Sequence, residues 1–439
     1  MFFVYSLVYT LGFVLLLPRF LFDALAKGKY AAGFKQRLGY LPPFEGHPKK
    51  VIWLHCVSVG EVNAARPLAQ QIKERFPDSS LVISTTTRTG QTLASTAFAN
   101  IADLVFYFPF DWKWTVRRSL ARIKPSVVLL METEIWFNFI HESFKSGAHV
   151  AIVNGRLSAR SLERYARIPK FIRRILGYVN IALMQENADA TRLMSLGMRA
   201  TKVKVTGNLK FDNDLDVRET VLTAEFRERF AITPSAPLII AASTHAREEA
   251  WILDAFKEFR KDPVNGQPRL MIAPRHPERF AEAAELVKNA GFTWARRSEA
   301  ESGDDRLADV ILLDSIGELR AAYPLAEIVF VGGSLIRQGG QSIFEPASAG
   351  KAIVTGPHTV NFAAAVREFL KREALLQLTP ASDAEIVPTL VRAFNELLSD
   401  QARRQLSGNH ALEVMNNNRG SVSKTMEYLS PLLDAAAKR

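Results

Sequence analysis

The fold is most narrowly limited by a series of short apolar runs set between longer amphipathic stretches. In the first half of the chain the runs read VIWLHCV, SLVISTT, DLVFYFP, SVVLLMET, HVAIVNG, IALMQ and KVKVTG; in the second they read PLIIAAST, RLMIAP, VILLD, EIVFVGG and KAIVTG. Val, Ile and Leu on consecutive positions mark strands covered on both faces, as in a parallel sheet. The stretches between them are mostly long enough for crossover helices. Each half therefore predicts a doubly wound, Rossmann-like α/β domain, the two facing each other across a cleft. At 439 residues the chain is too long for one ordinary core, which agrees with two domains. The polar stretch GNLKFDNDLDVRET places a boundary near residue 212, giving domains over 46–211 and 212–407. Residues 408–439 read as helical and as packing back on the first domain.

Residues 1–45 have a different character. MFFVYSLVYTLGFVLLL holds no charged side chain over 17 residues. As a helix it would span about 26 Å, slightly short of a bilayer core. It lacks the basic start of a secretory signal, and no small-residue cleavage site follows. The expectation is an uncleaved membrane anchor that spans the bilayer or lies in it. Arg19, Lys27, Lys29, Lys35 and Arg37 follow, opposed only by Asp23, and place the rest of the chain on the cytoplasmic side. As a collar, each cation near an anionic leaflet would contribute about 1 kcal/mol. The formal net charge of +11 asks for an anionic partner without choosing among nucleic acid, acidic lipid and phosphorylated substrate. Basic residues are mixed with carboxylates at strand ends rather than interleaved with aromatics on one face, which argues against nucleic acid. Cys56, the only cysteine, excludes an internal disulfide or a Cys-rich zinc site.

Ligands of open α/β sheets bind at the carboxyl ends of the strands, so the polar residues there are the candidates. The first strand is followed by Ser58, Gly60 and Glu61, and the third by Asp111. METEIW ends the fourth with Glu132 and Glu134, NGRLSARS ends the fifth, and Lys210 follows the seventh. In the second half the strands lead into STHAREE, APRHPER, DSIGEL and GGSLIRQGGQSIFEPASAG. A glutamate in the first helical turn is, on its own, an ordinary dipole partner. The glycines of GGSLIRQGG match neither the dinucleotide fingerprint nor the Walker pattern, yet they allow close approach of backbone amides to an anion. Arg275 stands at a strand end between two prolines, a rigid place for a phosphate contact, and Glu345 stands near a helix start where it can accept from ribose hydroxyls. The acidic FDNDLD resembles the Asp-x-Asp metal motif of some sugar transferases but lies in the linker. The arginine-rich segment from Arg156 to Arg174 reads either as a solvated face or as a surface for anionic lipid.

SVGE, PFD, METEIW, NGRLSARS, GNLK, STH, APRHPERF, GEL and GGSL…GG…EPA, in this order behind an apolar N-terminus, resemble the 3-deoxy-D-manno-octulosonic acid (Kdo) transferases of lipopolysaccharide assembly over nearly the whole chain. The resemblance implies the two-domain GT-B glycosyltransferase fold. It also implies transfer of Kdo from CMP-Kdo to a lipid A precursor at the cytoplasmic face of the inner membrane. By the same resemblance Glu61 is the general base, and Glu132 (with Glu134 beside it) and Lys210 stabilise the transition state. Pro274, Arg275, Gly317, Glu318, Leu319, Ser342, Ile343, Phe344 and Glu345 hold the CMP part. No cofactor is implied. A monophosphate leaving group carries less charge than a diphosphate, so protein cations are expected to suffice, with no obligatory metal. The alternative is a membrane-associated GT-B transferase for another nucleotide sugar or lipid. The chain departs from the family pattern at Phe137, where EIWPN has proline; at Arg247, where STHxGEE has glycine; and in GGQSIFEP, where GGHNPLEP is common.

Overall fold

The computed structural model describes residues 2–27, 33–44, 50–212, 219–262 and 267–437. The chain divides into two compact units, Met1–Asp214 with Asn418–Arg439, and Leu215–Asn417. The return to the first unit comes at Asn418, ten residues beyond the position near 408 expected from sequence, because the helix Gln401–Asn418 belongs, all but its last residue, to the second unit.

The first unit carries β1 (Val51–Cys56), β2 (Ser80–Thr85), β3 (Leu104–Tyr107), β4 (Val127–Met131), β5 (His149–Gly155), β6 (Ile181–Met184) and β7 (Val203–Val205). Among the described residues these form one parallel sheet in the order β3-β2-β1-β4-β5-β6-β7. Alternate residues of β1 enter opposite cores: Val51 and Trp53 on one face, Ile52, Leu54 and Cys56 on the other. The second face is closed by the C-terminal helix Ser421–Ala437 through Val422, Met426, Leu429 and Leu433. Burial of each of these leucines contributes about 1.5–3 kcal/mol. Asp212 fixes the start of this helix by accepting from the backbone amides of Gly420 (2.7 Å) and Val422. The rest of the acidic linker motif, from residue 213 to 216, lies outside the described residues.

The second unit carries β8 (Leu238–Thr244), β9 (Arg269–Pro274), β10 (Trp294–Arg296), β11 (Val310–Leu312), β12 (Ala326–Val331), β13 (Ala352–Thr355) and β14 (Leu376–Gln377). Its sheet, again parallel, has the order β10-β11-β9-β8-β12-β13-β14. β10 and β14 extend the five runs seen in the sequence. They are too short, and β10 too polar, to register as buried strands.

The N-terminal segment forms the helix Phe2–Lys27. One face is committed to the first unit. Phe2 stacks on His141 at 4.0 Å, Tyr5 Oη donates to Asp111 Oδ2 at 2.7 Å, Trp112 Nε1 donates to Thr10 Oγ1 at 2.9 Å, and Phe13 packs on Trp112 at 4.9 Å. Phe3, Val4, Leu7, Val8, Leu11, Val14 and Leu15 face outward, with Phe3 79% and Leu15 80% exposed. Among the described residues no helix is long and apolar enough to cross a membrane, so the spanning form of the anchor is not supported. The packed face supplies the physical reason: a helix docked side-on along a domain has only its other face left for lipid. The cationic collar is also corrected at Arg37. Its side chain is buried, donates to the Thr86 carbonyl at 2.5 Å and lies 4.6 Å from the Tyr107 ring, so it braces the fold. Lys29 lies outside the described residues.

Candidate active site

In the first unit the polar residues at the ends of β1, β4 and β5 and after β7 converge. Glu61 opens the helix Val59–Arg75, directly after β1. Its carboxylate turns back on the strand end: Val57 N donates to Oε2 at 2.8 Å and Ser58 Oγ to Oε1 at 3.2 Å. The side chain is buried, and its pKa is raised to about 8, first by burial and then by Glu132, with a further push from Glu134. Glu61 thus caps the turn and is at the same time a carboxyl poised to exchange a proton near neutrality.

Glu132 follows β4 with φ 54°, a left-handed backbone that non-glycine residues rarely adopt. Its amide donates to the Val153 carbonyl at 2.9 Å, and Lys210 Nζ stands 3.5 Å from its Oε1. Burial and Glu132 raise the Glu134 carboxyl as well. Lys210 is placed by a residue that sequence reading passed over. Asn154, buried in β5 with φ 54°, accepts the Leu209 amide on Oδ1 at 3.0 Å and so pins the short turn Leu209–Asp212. Nothing in NGRLSARS marks its asparagine as a support, since the partner is a backbone amide 55 residues away. Gly60 also belongs here: a Cβ on it would lie 4.0 Å from Lys210 Nζ. Three carboxyls and one ammonium therefore share the strand ends of one sheet. Because burial is the larger cause and Glu132 the second, Glu132→Gln is expected to bring Glu61 part of the way down from about 8. A 13C NMR titration of the Glu61 carboxyl checks this, and an unmoved midpoint would assign the shift to burial and Glu134.

Asp111 is not part of this cluster. It is buried against the N-terminal helix, accepts from Tyr5 Oη and from the amides of Asn138 (3.1 Å) and Phe139 (2.8 Å), and burial pushes it up to about 7. Phe137, where the family pattern has proline, packs on Tyr5 (4.8 Å) and Phe171 (5.0 Å) and so serves the same contact.

In the second unit the ends of β11, β9, β8 and β12 are neighbours, and the CMP-holding candidates follow them. Arg275, after Pro274 at the end of β9, is exposed, and its amide donates to Thr244 O at 2.9 Å. His245, just after β8, is lowered to about 4 by burial and then by His276, Arg279 and Arg275, and its ring lies 5.2 Å from that of His276. Gln341 Nε2 lies 3.0 Å from His245 Nε2. Arg279 itself is paired with Glu249 (2.6 Å) and Glu282 (2.9 Å). The glycine-rich loop is held by Glu248, a second residue that sequence reading missed. This buried carboxylate accepts the amides of Gly333 (2.7 Å), Ser334 (3.0 Å), Leu335 (3.0 Å) and His245 (3.0 Å). Ser342 and Ile343 lead into the helix Phe344–Ser348, where Glu345 meets Arg320 at 3.3 Å. Gly317 has φ 87° in the loop before Leu319. The Glu318 side chain is engaged by Arg297 at 2.9 and 3.1 Å rather than free for a ligand. Among the described residues no three His, Cys, Asp or Glu side chains cluster to hold a metal ion.

A family model described as 3-deoxy-D-manno-octulosonic-acid transferase (kdotransferase) matches residues 32–213. The 3-deoxy-D-manno-octulosonic acid transferase of Haemophilus influenzae is 34% identical to this chain over 92% of each protein. The chain belongs to the Kdo transferase family. The Kdo transferase of Bordetella pertussis is likewise 34% identical, over 87% of each chain, and that of Chlamydia trachomatis serovar A is 26% identical over 97% of this chain and 96% of its own. This Kdo transferase is accordingly a glycosyltransferase. Among solved structures, a UDP-GlcNAc 2-epimerase from Neisseria meningitidis and a glycosyltransferase from Rickettsia africae both superpose with a TM-score of 0.55. They cover 86% and 88% of this chain and 100% and 99% of their own, at 16% and 11% identity. At those identities the likeness is one of fold: two parallel α/β sheets of the GT-B type.

Proposed function

We propose that this Kdo transferase moves Kdo from CMP-Kdo to a hydroxyl of a lipid A precursor, by inverting displacement with Glu61 as the general base. The observation that carries this reading is the Glu61 carboxyl itself. It is buried at a strand end, fixed by two hydrogen bonds, and raised to about 8 in the company of Glu132 and Glu134. A sugar hydroxyl is a poor nucleophile and needs its proton taken as it attacks, a service worth about 100- to 10,000-fold. The donor breaks at a ketosidic carbon and develops positive charge there, which Glu132 is suited to stabilise. Its leaving phosphate gathers negative charge, which Lys210 and Arg275 would neutralise. Pro274, Gly317–Leu319 and Ser342–Glu345 would hold the nucleotide, Glu318 through its backbone. Mass spectrometry of a lipid A precursor incubated with the enzyme and freshly generated CMP-Kdo tests the whole reading. A mass increase of the Kdo residue is expected, and product formed with a UDP-sugar instead would refute the donor.

The proposed site of action is the cytoplasmic face of the inner membrane, reached without a spanning helix. From Phe3 to Leu15 the outward face of the helix Phe2–Lys27 repeats every three to four residues, as in helices that lie in the interface plane. Trp114, half-exposed and stacked on Trp112 at 6.0 Å, adds an aromatic of the kind found at that depth. Leu7→Glu with Leu11→Glu is expected to abolish sedimentation with anionic vesicles while the protein stays folded. Undiminished sedimentation would move the contact elsewhere.

A further inference from the structure

The loop after β11, Asp314 to Leu319, is fastened at both ends by two consecutive arginines. Arg296, the last residue of β10, pairs with Asp314 at 2.5 Å, and Asp314 also accepts from Ser298 N (2.9 Å) and Ser298 Oγ (2.6 Å). Arg297 grips Glu318 with two parallel bonds, Nε to Oε2 at 2.9 Å and Nη2 to Oε1 at 3.1 Å, and its remaining nitrogen pairs with Glu225 at 2.9 Å. Such a fork fixes direction as well as distance, which a lysine cannot do. The segment bearing both arginines is itself braced from below. Arg229, buried, donates to the carbonyls of Arg296 (3.1 Å), Arg297 (3.2 Å) and Glu299 (3.0 Å), and its charge is met by Asp305 at 2.7 Å. Between the two fastened ends lie only Ser315, Ile316 and Gly317; Ile316 is 79% exposed and Gly317 takes φ 87°.

The consequence is chemical. With the Glu318 carboxylate occupied by Arg297 and Ser315, this loop offers a ligand backbone amides and carbonyls and one apolar side chain, but no free charge of its own. That is a surface suited to a neutral, hydrogen-bonding group that can also rest on Ile316. We propose that Arg297, with Arg296 beside it, is a positioning residue that shapes the Ser315–Leu319 backbone to recognise the pyrimidine base of the donor nucleotide. The proposal rests on the reading of this unit as the nucleotide site. It divides that site in two: the base is read by the clamped loop, the phosphate by the cations around Arg275.

Titrations of CMP and of ribose 5-phosphate against the full-length wild type, Arg297→Ala, Arg297→Lys, Glu318→Gln and Arg275→Ala separate the two parts. Loss of one or two correctly placed hydrogen bonds to the base should weaken CMP about tenfold in Arg297→Ala. Ribose 5-phosphate should be unchanged in that variant. Arg297→Lys should recover part of the loss, and Glu318→Gln, which breaks the same fork from the other side, should copy Arg297→Ala. Arg275→Ala should weaken both ligands alike. The clamp is overturned if Arg297→Ala and Glu318→Gln bind CMP as the wild type does, or lose CMP and ribose 5-phosphate by the same factor. If the wild type prefers CMP to ribose 5-phosphate by no margin, the nucleotide reading itself fails and takes the clamp with it.

Discussion

Glu61→Gln is expected to leave a folded protein whose transfer rate is about 100- to 10,000-fold lower, the range a positioned general base supplies. Glutamine keeps an oxygen to accept from Val57 N but cannot take a proton. The wild-type pH profile makes the assignment specific. With the Glu61 carboxyl at about 8, only its ionised form works as a base, so kcat/KM should rise with pH through about 8. The residual rate of the variant should lack that limb. Stability should move the other way. A raised carboxyl means that the folded protein holds the proton more tightly than the unfolded chain, whose glutamate has the ordinary value of about 4.5. Stability from this group is therefore complete below about 4.5 and is lost as the pH climbs toward 8. The variant escapes that loss, so its Tm relative to wild type should increase across the window. A variant with wild-type turnover would remove Glu61 from the chemistry, and a Tm difference flat in pH would remove the shift.

Lys210→Ala should lower kcat by about 100- to 1,000-fold, the cost of deleting one preorganised group that answers developing charge. Lys210 is half-buried and, among the described residues, pairs with Glu132 at 3.5 Å, so the fold should tolerate the change. Single-turnover kinetics with preformed CMP-Kdo give the readout: the chemical step should slow while donor affinity, governed by the second unit in this reading, stays within a few-fold. A turnover within a factor of a few of wild type would demote Lys210 to a partner that merely neutralises Glu132.

Most of the fold was legible because parallel strands buried on both faces have little choice of residue. Trp53 and Leu54 point into opposite cores, so polarity cannot alternate along β1, and the run VIWLHCV stands out from its neighbours. β10 and β14 escaped because edge strands of three and two residues need no such run. The candidate site was legible only as far as strand ends could be guessed. Position after a strand singled out Glu61 and Arg275 as candidates, but it could not tell them from Asp111, whose fate depends on a helix more than a hundred residues upstream in the chain. Supports such as Asn154 and Glu248 were invisible for a related reason. Their partners are backbone amides from distant segments, and a backbone amide leaves no mark on a sequence.

The left-handed backbone of Glu132 carries one more implication. Only glycine enters that region without steric penalty, and strain of this kind costs about 1–3 kcal/mol. Replacing Glu132 by glycine would thus erase a carboxylate and relax the main chain in a single step. In the proposed mechanism thermal robustness and turnover pull this position in opposite directions, so a screen that rewards heat resistance alone should favour glycine here at the expense of transfer.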